Sequence, residues 1–472
     1  MSEQYDLIII GGGPGGYTAA SRAAAFGMRT ALIEMGELGG SCVNTGCIPT
    51  KALLQATAVY RDILQASRFG ITAHGVGFDL KKMQDYKDDS VEEFRGMIRK
   101  LLAEHRVDLI CGEGRLHKDN VVEIVTAEGS SFIKGKNIIL ATGSRTRIPE
   151  IPGIELPQVM TSRELLEAEE WKFDCLTVIG GGVIGVELAT VFAALGSKVT
   201  ILEKANCLLA NLDSIASDEV EEHLREKGID VICNAEITQI TKRENDTVFV
   251  GFQVNGSWKE VAADRVLIAA GRVPFLGNAL AKDCEVKVEN SSPVVKGSYR
   301  TTQKDVYAIG DVTSKIKLAH VATSQAIYVV EHLAGTRHRM QLTVVPSGMY
   351  VVLPVVPLCI YTDPEIAAVG FTMEDAHTYN MKIKCGMAYM SDNGKAILCR
   401  KKSGFIRLIF EAYTDTLVGA QIMCSRATDM IGEMATAIAN GLTAYQLSTA
   451  MRAHPTYGEA IAKAIEDALN HG

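Results

Sequence analysis

The sequence predicts an α/β chain built on two Rossmann-like dinucleotide-binding units, with a separate α+β domain behind them. Three observations predict it. A glycine-rich turn between a strand-like and a helix-like run occurs twice, over residues 11–16 and 180–185, with every landmark displaced by 169 positions. Further apolar runs end on glycine, as parallel strands do when they stop near a ligand. From about residue 346 the texture changes to strand runs followed by helical patterns.

In the first copy, residues 5–10 read as a buried strand, GGGPGG follows at 11–16, and an alanine-rich helix over 19–26 is closed by Gly27. A second strand, 30–33, ends at Glu34. The second copy runs as strand 175–179, turn GGGVIG at 180–185, helix 186–195, Gly196, and strand 198–202 ending at Glu203. One such turn alone is as often an ordinary glycine turn; two copies with matching flanks form a duplicated βαβ unit. The glycines differ in what they do. Gly11 and Gly180 turn the chain, Gly13 and Gly182 let backbone approach a pyrophosphate, and Gly16 and Gly185 let helix pack on strand. The pyrophosphate then rests on a helix N-terminus. Glu34 and Glu203 are placed to accept from a ribose hydroxyl, and an acid at 203 followed only by Lys204 favours NAD over NADP.

Residues 137–140 run into Ala141-Thr142-Gly143, 266–270 into Gly271-Arg272, and 306–309 into Gly310-Asp311. Each reads as a strand ending near a cofactor, although singly each would pass for a strand-end turn. Residues 105–136 and 228–265 look like strand-rich inserts without identifiable chemistry. The last domain is read from strands at 403–410 and 417–423 and helices at 429–440 and 459–469.

Between the two nucleotide motifs lies GGSCVNTGCIPTK, residues 39–51, which holds Cys42 and Cys47 five positions apart. Thiols so close are a redox pair or a metal clip. Five residues of regular helix rise about 7.5 Å, beyond the roughly 7 Å a disulfide spans between Cα atoms, so a disulfide needs an irregular turn. Asn44, Thr45 and Gly46 suit one, and Pro49 suits the opening of a helix that runs on through Lys51. A helix N-terminus there lowers a thiol pKa. Zinc usually takes two such pairs, whereas the other nine cysteines are scattered singly, so no metal is expected. Two inert buried thiols would be the plain alternative, but this turn is polar and glycine-rich.

A chain with two dinucleotide sites and a dithiol passes electrons between them. Nicotinamide moves hydride, and flavin both accepts hydride and reacts with thiolates, so the first site, beside the dithiol, is assigned to FAD and the second to NAD. Dithiol chemistry also needs a base, since only a thiolate attacks a disulfide. His454 in AHPTYGE is the candidate, with Glu459 five positions on to hold one ring nitrogen. Taken alone, a histidine is far more often structural or simply exposed.

Length and charge narrow the class. At 472 residues the chain is expected to form about three domains. A net charge of −8 gives no support to nucleic-acid or anionic-membrane binding. The longest apolar stretch, residues 349–361, is short and broken by Pro354 and Pro357, so no membrane span is expected. The first residues lack a signal-peptide pattern, and eleven cysteines read as reduced thiols plus one redox pair; the chain is expected to be cytoplasmic.

At this level of detail the chain resembles the flavoprotein disulfide reductases, and among them the dihydrolipoamide dehydrogenases, over essentially its whole length. The likeness is carried by the dithiol stretch, both glycine motifs, VYAIGDV at 306–312, LAHVATSQA at 318–326, YTDPEIAAVG at 361–370 and AHPTYGEA at 453–460. It implies a homodimer with a shared active site and, in order, an FAD domain (1–150), an NAD domain (151–272), a central domain completing the FAD site (273–345) and an interface domain (346–472). It further implies that Cys42 exchanges with substrate, that Cys47 contacts the flavin, and that the partner subunit supplies His454 with Glu459 orienting it. Lys51 and Glu187 would pair beside the flavin ring, and Asp311 would hold its ribityl chain; without the likeness, Lys51 would pass for a snorkelling lysine and Glu187 for a helix first-turn acid. Lipoyl domains of 2-oxoacid dehydrogenase or glycine-cleavage complexes would be the partners.

Against the glutathione-type reductases stand Val183, where that group carries tyrosine, and the lack of arginines after Glu203. Against the mercuric reductases stands the absence of a vicinal cysteine pair over 467–472. Arg452, Gly458 and Phe275 depart from the dihydrolipoamide dehydrogenase pattern, which has histidine, serine and asparagine there. The rival readings are a related NAD(P)H-dependent disulfide or mercuric reductase, and a non-catalytic redox-sensing subunit.

Overall fold

The computed structural model describes residues 4–169, 171, 173–243, 247–336 and 355–471. The expected 345/346 boundary and the first part of the apolar stretch at 349–361 lie outside the described residues. Among the described residues no helix is long and apolar enough to cross a membrane.

The strand Gln4–Ile10 carries Leu7, Ile8 and Ile9 with no exposed surface. An uninterrupted apolar run of this kind must be covered on both faces, which places it inside a parallel sheet. It pairs in parallel with Thr30–Glu34 on one side and with the end of Gly129–Leu140 on the other. The sheet has seven strands and continues outward to Asp108–Cys111 at one edge and, antiparallel, to Val121–Thr126 and Glu113–Leu116 at the other. The seventh strand, Val306–Ala308, comes from far downstream and pairs with Ile138, Ile139 and Leu140. Residues 273–336 thus add a strand to this sheet. They also add the helix Ala319–Leu333, whose Glu331 meets Arg22 of the helix Pro14–Ala25 at 2.5 Å.

The second sheet repeats the arrangement. Its five strands run in parallel in the order Asp230–Ile232, Lys198–Leu202, Cys175–Ile179, Arg265–Ile268, Val159–Thr161. Leu7 pairs with Thr30, and Leu176 with Val199, so the duplicated units share one register. An antiparallel sheet of Glu236–Lys242, Val248–Val254 and Ser257–Ala263 is inserted before the fourth strand.

Both nucleotide helices begin earlier than their apolar runs suggest. The first starts at Pro14 and the second at Val183, directly on N-caps Gly13 and Gly182. Their opening turns are built of glycine, proline and small residues, which carry no periodic signal; Pro14 has a φ already suited to a helix start.

The C-terminal domain is a five-stranded antiparallel sheet, ordered Leu358–Ile360, Glu365–Gly370, Leu417–Cys424, Phe405–Glu411, Ile383–Tyr389. The helices Ala427–Ala439 and Glu459–Asn470 pack on it. One apolar cluster ties the parts together: Leu53 and Leu54 of the dithiol helix, Val186 and Val191 of the second nucleotide helix, and Ile360, Ile366 and Phe405 of the last domain share it. The dithiol therefore sits on a helix clamped by two other domains.

Candidate active site: a dithiol between two dinucleotide cradles

Residues Gly40–Thr45 form a short helix where the sequence suggests a turn. Gly46 (φ −146°, ψ −104°) breaks it, and the helix Cys47–Leu64 begins at the next residue. A side chain at 46 would bring its Cβ within 2.8 Å of the Ser41 carbonyl oxygen, so the break requires glycine. Gly40 (φ +57°) is held just as closely, because a Cβ there would lie 2.9 Å from Gly13 Cα in the first nucleotide turn. Asn44 fixes the segment, donating from its amide to the carbonyls of Leu38 and Gly40 at 3.1 and 2.9 Å and accepting from Arg95 Nε at 2.6 Å.

The break folds Cys42 of one helix against Cys47 of the next. Both are free thiols, half-buried and hydrogen-bonded to each other. The bond from Cys42 lowers the Cys47 pKa to about 7; burial opposes this, and the Lys51 ammonium one turn along adds to it. The same bond and burial push the Cys42 thiol up. The reduced pair is thus asymmetric: negative charge collects on Cys47 and the proton stays on Cys42.

Charged groups from three regions surround the pair. Lys51 Nζ lies 2.7 Å from Glu187 Oε2 on the helix Val183–Ala194. Asp311 Oδ2 accepts from Ser144 Oγ at 2.5 Å, and Arg272 donates through Nε to the same hydroxyl at 2.7 Å. Burial lowers the Arg272 pKa, and the charges of Asp311 and Cys47 act on it. The Tyr17 phenol is pushed up by burial and by both thiols. Tyr17 and Ser144 carry no signal in the sequence, and neither does Arg95, which lies 51 positions from its partner. Arg272 is visible there only as the end of a glycine turn.

The two nucleotide turns match atom for atom. Gly12 N donates to Glu34 Oε2 at 2.6 Å, and Gly181 N to Glu203 Oε2 at 2.5 Å. A Cβ on Gly11 would strike the Ala141 carbonyl oxygen at 2.4 Å, and one on Gly180 that of Ala269 at 2.5 Å. Gly16 and Gly185 pass so close to the carbonyls of Gly11 and Gly180 that no side chain fits. In front of each turn lies open space. A cavity of about 70 Å³ is lined by Gly11, Glu34, Thr142 and Phe275, among others. The Thr142 hydroxyl that lines it is buried and has no hydrogen-bond partner among the described residues, as expected of a group that serves a ligand. A second cavity, about 180 Å³, is lined by Gly182, Val183, Glu203 and Cys207. Among the described residues nothing lies within 4 Å of a Cβ position at Gly182 or Gly271 (φ +100°). The glycine turn and the acid in each cradle suit the ribose and pyrophosphate of a dinucleotide. Among the described residues no group of three or more His, Cys, Asp or Glu could hold a metal ion.

His454 is held by Glu459 of its own chain. Its side chain is 78% exposed, and Nδ1 meets Glu459 Oε1 at 2.8 Å, while Nε2 has no hydrogen bond among the described residues. Glu459 is the first residue of the helix Glu459–Asn470, and its other oxygen accepts from Thr456 N at 2.8 Å. The Thr456 amide, then His454, hold its carboxyl below the ordinary value. Gly458 caps the helix without a side chain. Arg452 turns inward to Glu433 at 2.6 Å.

A thiolate-forming cysteine pair set between two dinucleotide cradles defines a nucleotide-linked thiol–disulfide oxidoreductase. The chain belongs to the pyridine nucleotide-disulphide oxidoreductase family: residues 5–326 match that family and residues 356–465 its dimerisation domain. Its cofactors are FAD and NAD(H). The chain is 34% identical over 477 residues to a dihydrolipoyl dehydrogenase of Bacillus subtilis, covering 98% of each. It is 34% identical over 473 residues to one from Geobacillus stearothermophilus, covering 98% of this chain and 96% of that one. Among solved structures, the HOCl-induced flavoprotein disulfide reductase RclA from Escherichia coli is 28% identical, with a TM-score of 0.83 over 99% of each chain.

Proposed function

We propose that this chain is a dihydrolipoamide dehydrogenase, oxidising dihydrolipoyl groups and reducing NAD+ by way of the Cys42/Cys47 pair and FAD. The observation that carries the reading is the 34% identity, across 98% of both chains, with a protein named for that activity. The asymmetric dithiol and the acid at Glu203 support it. Gly11, Gly13, Gly16, Glu34, Lys51, Ala141, Thr142, Gly143 and Asp311 would hold FAD. Gly180, Gly182, Gly185, Glu187, Glu203 and Gly271 would hold NAD.

The chain works as a homodimer in which each active site takes His454 from the partner subunit. With Glu459 accepting from Nδ1–H, the imidazole Nε2 takes a proton from a dihydrolipoyl thiol. That thiolate attacks Cys42 Sγ of the Cys42–Cys47 disulfide, the S–S bond breaks, and Cys47 leaves as the thiolate that its surroundings favour. The second substrate thiol attacks the substrate's first sulfur in the mixed disulfide, the bond to Cys42 breaks, and its proton passes to the departing Cys42 sulfur; oxidised lipoyl departs. The electron pair now rests on the dithiol. Held by the first cradle beside Lys51 and Asp311, FAD would supply the two-electron chemistry that links dithiol to nicotinamide. Lys51 offsets the Cys47 charge while the pair waits, and the half-buried setting limits water around it.

Steady-state NADH formation from dihydrolipoamide tests the proposal, with glutathione disulfide and lipoamide reduction as comparisons. Efficient dihydrolipoamide turnover with NAD+ is expected. Turnover confined to another disulfide or to a metal ion would transfer the assignment to a related reductase, the reading that the likeness to RclA favours. The lipoyl domain of a 2-oxoacid dehydrogenase or glycine-cleavage complex is the proposed macromolecular partner.

A further inference from the structure

Lys51 is placed by groups from two other parts of the chain. Its ammonium lies 2.7 Å from Glu187 Oε2 and 4.6 Å from the centroid of the Tyr361 ring. Tyr361 follows the strand Leu358–Ile360 of the C-terminal domain, and its backbone N–H donates to Glu187 Oε1 at 3.1 Å. Glu187 is buried, with 3% of its side chain exposed, so water does not readily replace either partner. Tyr361 therefore touches both members of the pair, one through its ring and the other through its amide.

Lys51 is 31% exposed and sits on a flexible stem. Held by Glu187 alone, its ammonium could rotate about that contact toward solvent. The aromatic face closes that route, because a ring quadrupole attracts a cation stationed over it. Burial pushes the Tyr361 phenol up to about 12, so the ring stays neutral throughout the working range. Cys42, Lys51 and Glu187 bear on Cys47 electrostatically, and Cys47 in turn bears on Arg272 and Tyr17. Among them Lys51 is the cation that favours the thiolate and rides on the same helix.

We propose that Tyr361 is a positioning residue for the dithiol: from the C-terminal domain it fixes the Lys51 ammonium beside Cys47 and locks the Glu187 carboxylate that shares it. The C-terminal domain thereby sets the charge state of a thiol to which it contributes no cysteine. This inference rests on reading Cys42 and Cys47 as a redox pair, and it is independent of the substrate.

The test uses the full-length, flavin-loaded protein, reduced with dithiothreitol and alkylated with iodoacetamide from about pH 5 to about pH 10. Labelling of Cys47 is read by peptide mass spectrometry. Tyr361→Phe keeps the ring and should titrate like the parent. Tyr361→Leu should move the Cys47 midpoint up by roughly half to one pH unit, the scale of one lost cation–π contact. Lys51→Met should also raise it, and adding Tyr361→Leu to Lys51→Met should add nothing. An unchanged midpoint in Tyr361→Leu would overturn the proposal, as would a shift that persists in full without Lys51. Should Tyr361→Leu lose flavin, Tyr361→Met is read by the same criteria. Failure of the redox reading would show separately, as Cys42 and Cys47 labelling that is identical before and after reduction.

Discussion

Arg95 donates through Nε to Asn44 Oδ1 at 2.6 Å, pinning the dithiol segment from the helix Leu80–Glu104. The Asn44 amide is engaged at the same time with the carbonyls of Leu38 and Gly40. Asn44→Ala removes all of these bonds and should cost about 1–3 kcal/mol. Arg95→Ala spares the carbonyl bonds and should cost about half as much. Thermal melts of the reduced and oxidised proteins check both. A melt of Asn44→Ala that coincides with the parent's would mean that the glycine-built backbone holds the segment unaided.

The pH response of the pair follows from its asymmetry. The Cys47 pKa is lowered from 9.0 to about 7, so its stabilising contribution is present above about 9 and fades as pH falls through about 7. Cys42 is pushed the other way and resists ionisation above the ordinary thiol value of 9.0, so the gain should not extend further. The reduced protein should therefore gain stability between about pH 7 and pH 9, and Cys47→Ser should lose that slope. Denaturant melts across this window under reducing conditions are the measurement.

Glu203 lines the second cradle and is the residue proposed to set its nucleotide preference. Glu203→Ala should raise the KM for NAD+ about tenfold, the worth of one hydrogen bond to a charged group, with kcat little changed. Glu203→Arg should also improve use of NADP+. Parallel steady-state assays with the two nucleotides decide it. An unaltered ratio of their kcat/KM values would place discrimination elsewhere in the cavity.

Cys42→Ser and His454→Gln should each be inactive. Mixed and allowed to exchange subunits, they should recover about a quarter of parental activity, because half of a random mixture is heterodimer and each heterodimer has one intact site. No recovery would argue that the histidine serves the dithiol of its own chain.

The paired cradles are plain in the sequence, because Gly11 and Gly180, each with a carbonyl within 2.5 Å of its absent Cβ, recur with matching flanks. The carboxylates at Glu34 and Glu203 are legible for a related reason: each closes its own unit 22 positions from the amide it accepts. The residues that leave no trace act across long separations. Tyr361 meets Glu187 over 174 positions, and Ser144 meets Asp311 over 167. Neither side chain has a periodic or spacing signature, and only the packing of whole domains brings them together. The short helix at Gly40–Thr45 is hidden for a different reason, since six residues with one glycine, serine, asparagine and threonine among them have little helix propensity and depend on their neighbours.

The strand Val306–Ala308 has a bearing on how the molecule is made. Until it has been synthesised, the apolar edge Ile138, Ile139 and Leu140 has no partner on that side, so the N-terminal sheet must wait for about 165 residues of intervening chain. During synthesis at about 5–20 residues per second, that edge stays open for roughly 8 to 33 seconds. The duplicated second unit can close in the interval, because all five strands of its sheet lie between residues 159 and 268. The order of emergence from the ribosome is therefore the reverse of the order of completion: the later copy matures first, and the older end of the chain needs protection until its last strand arrives.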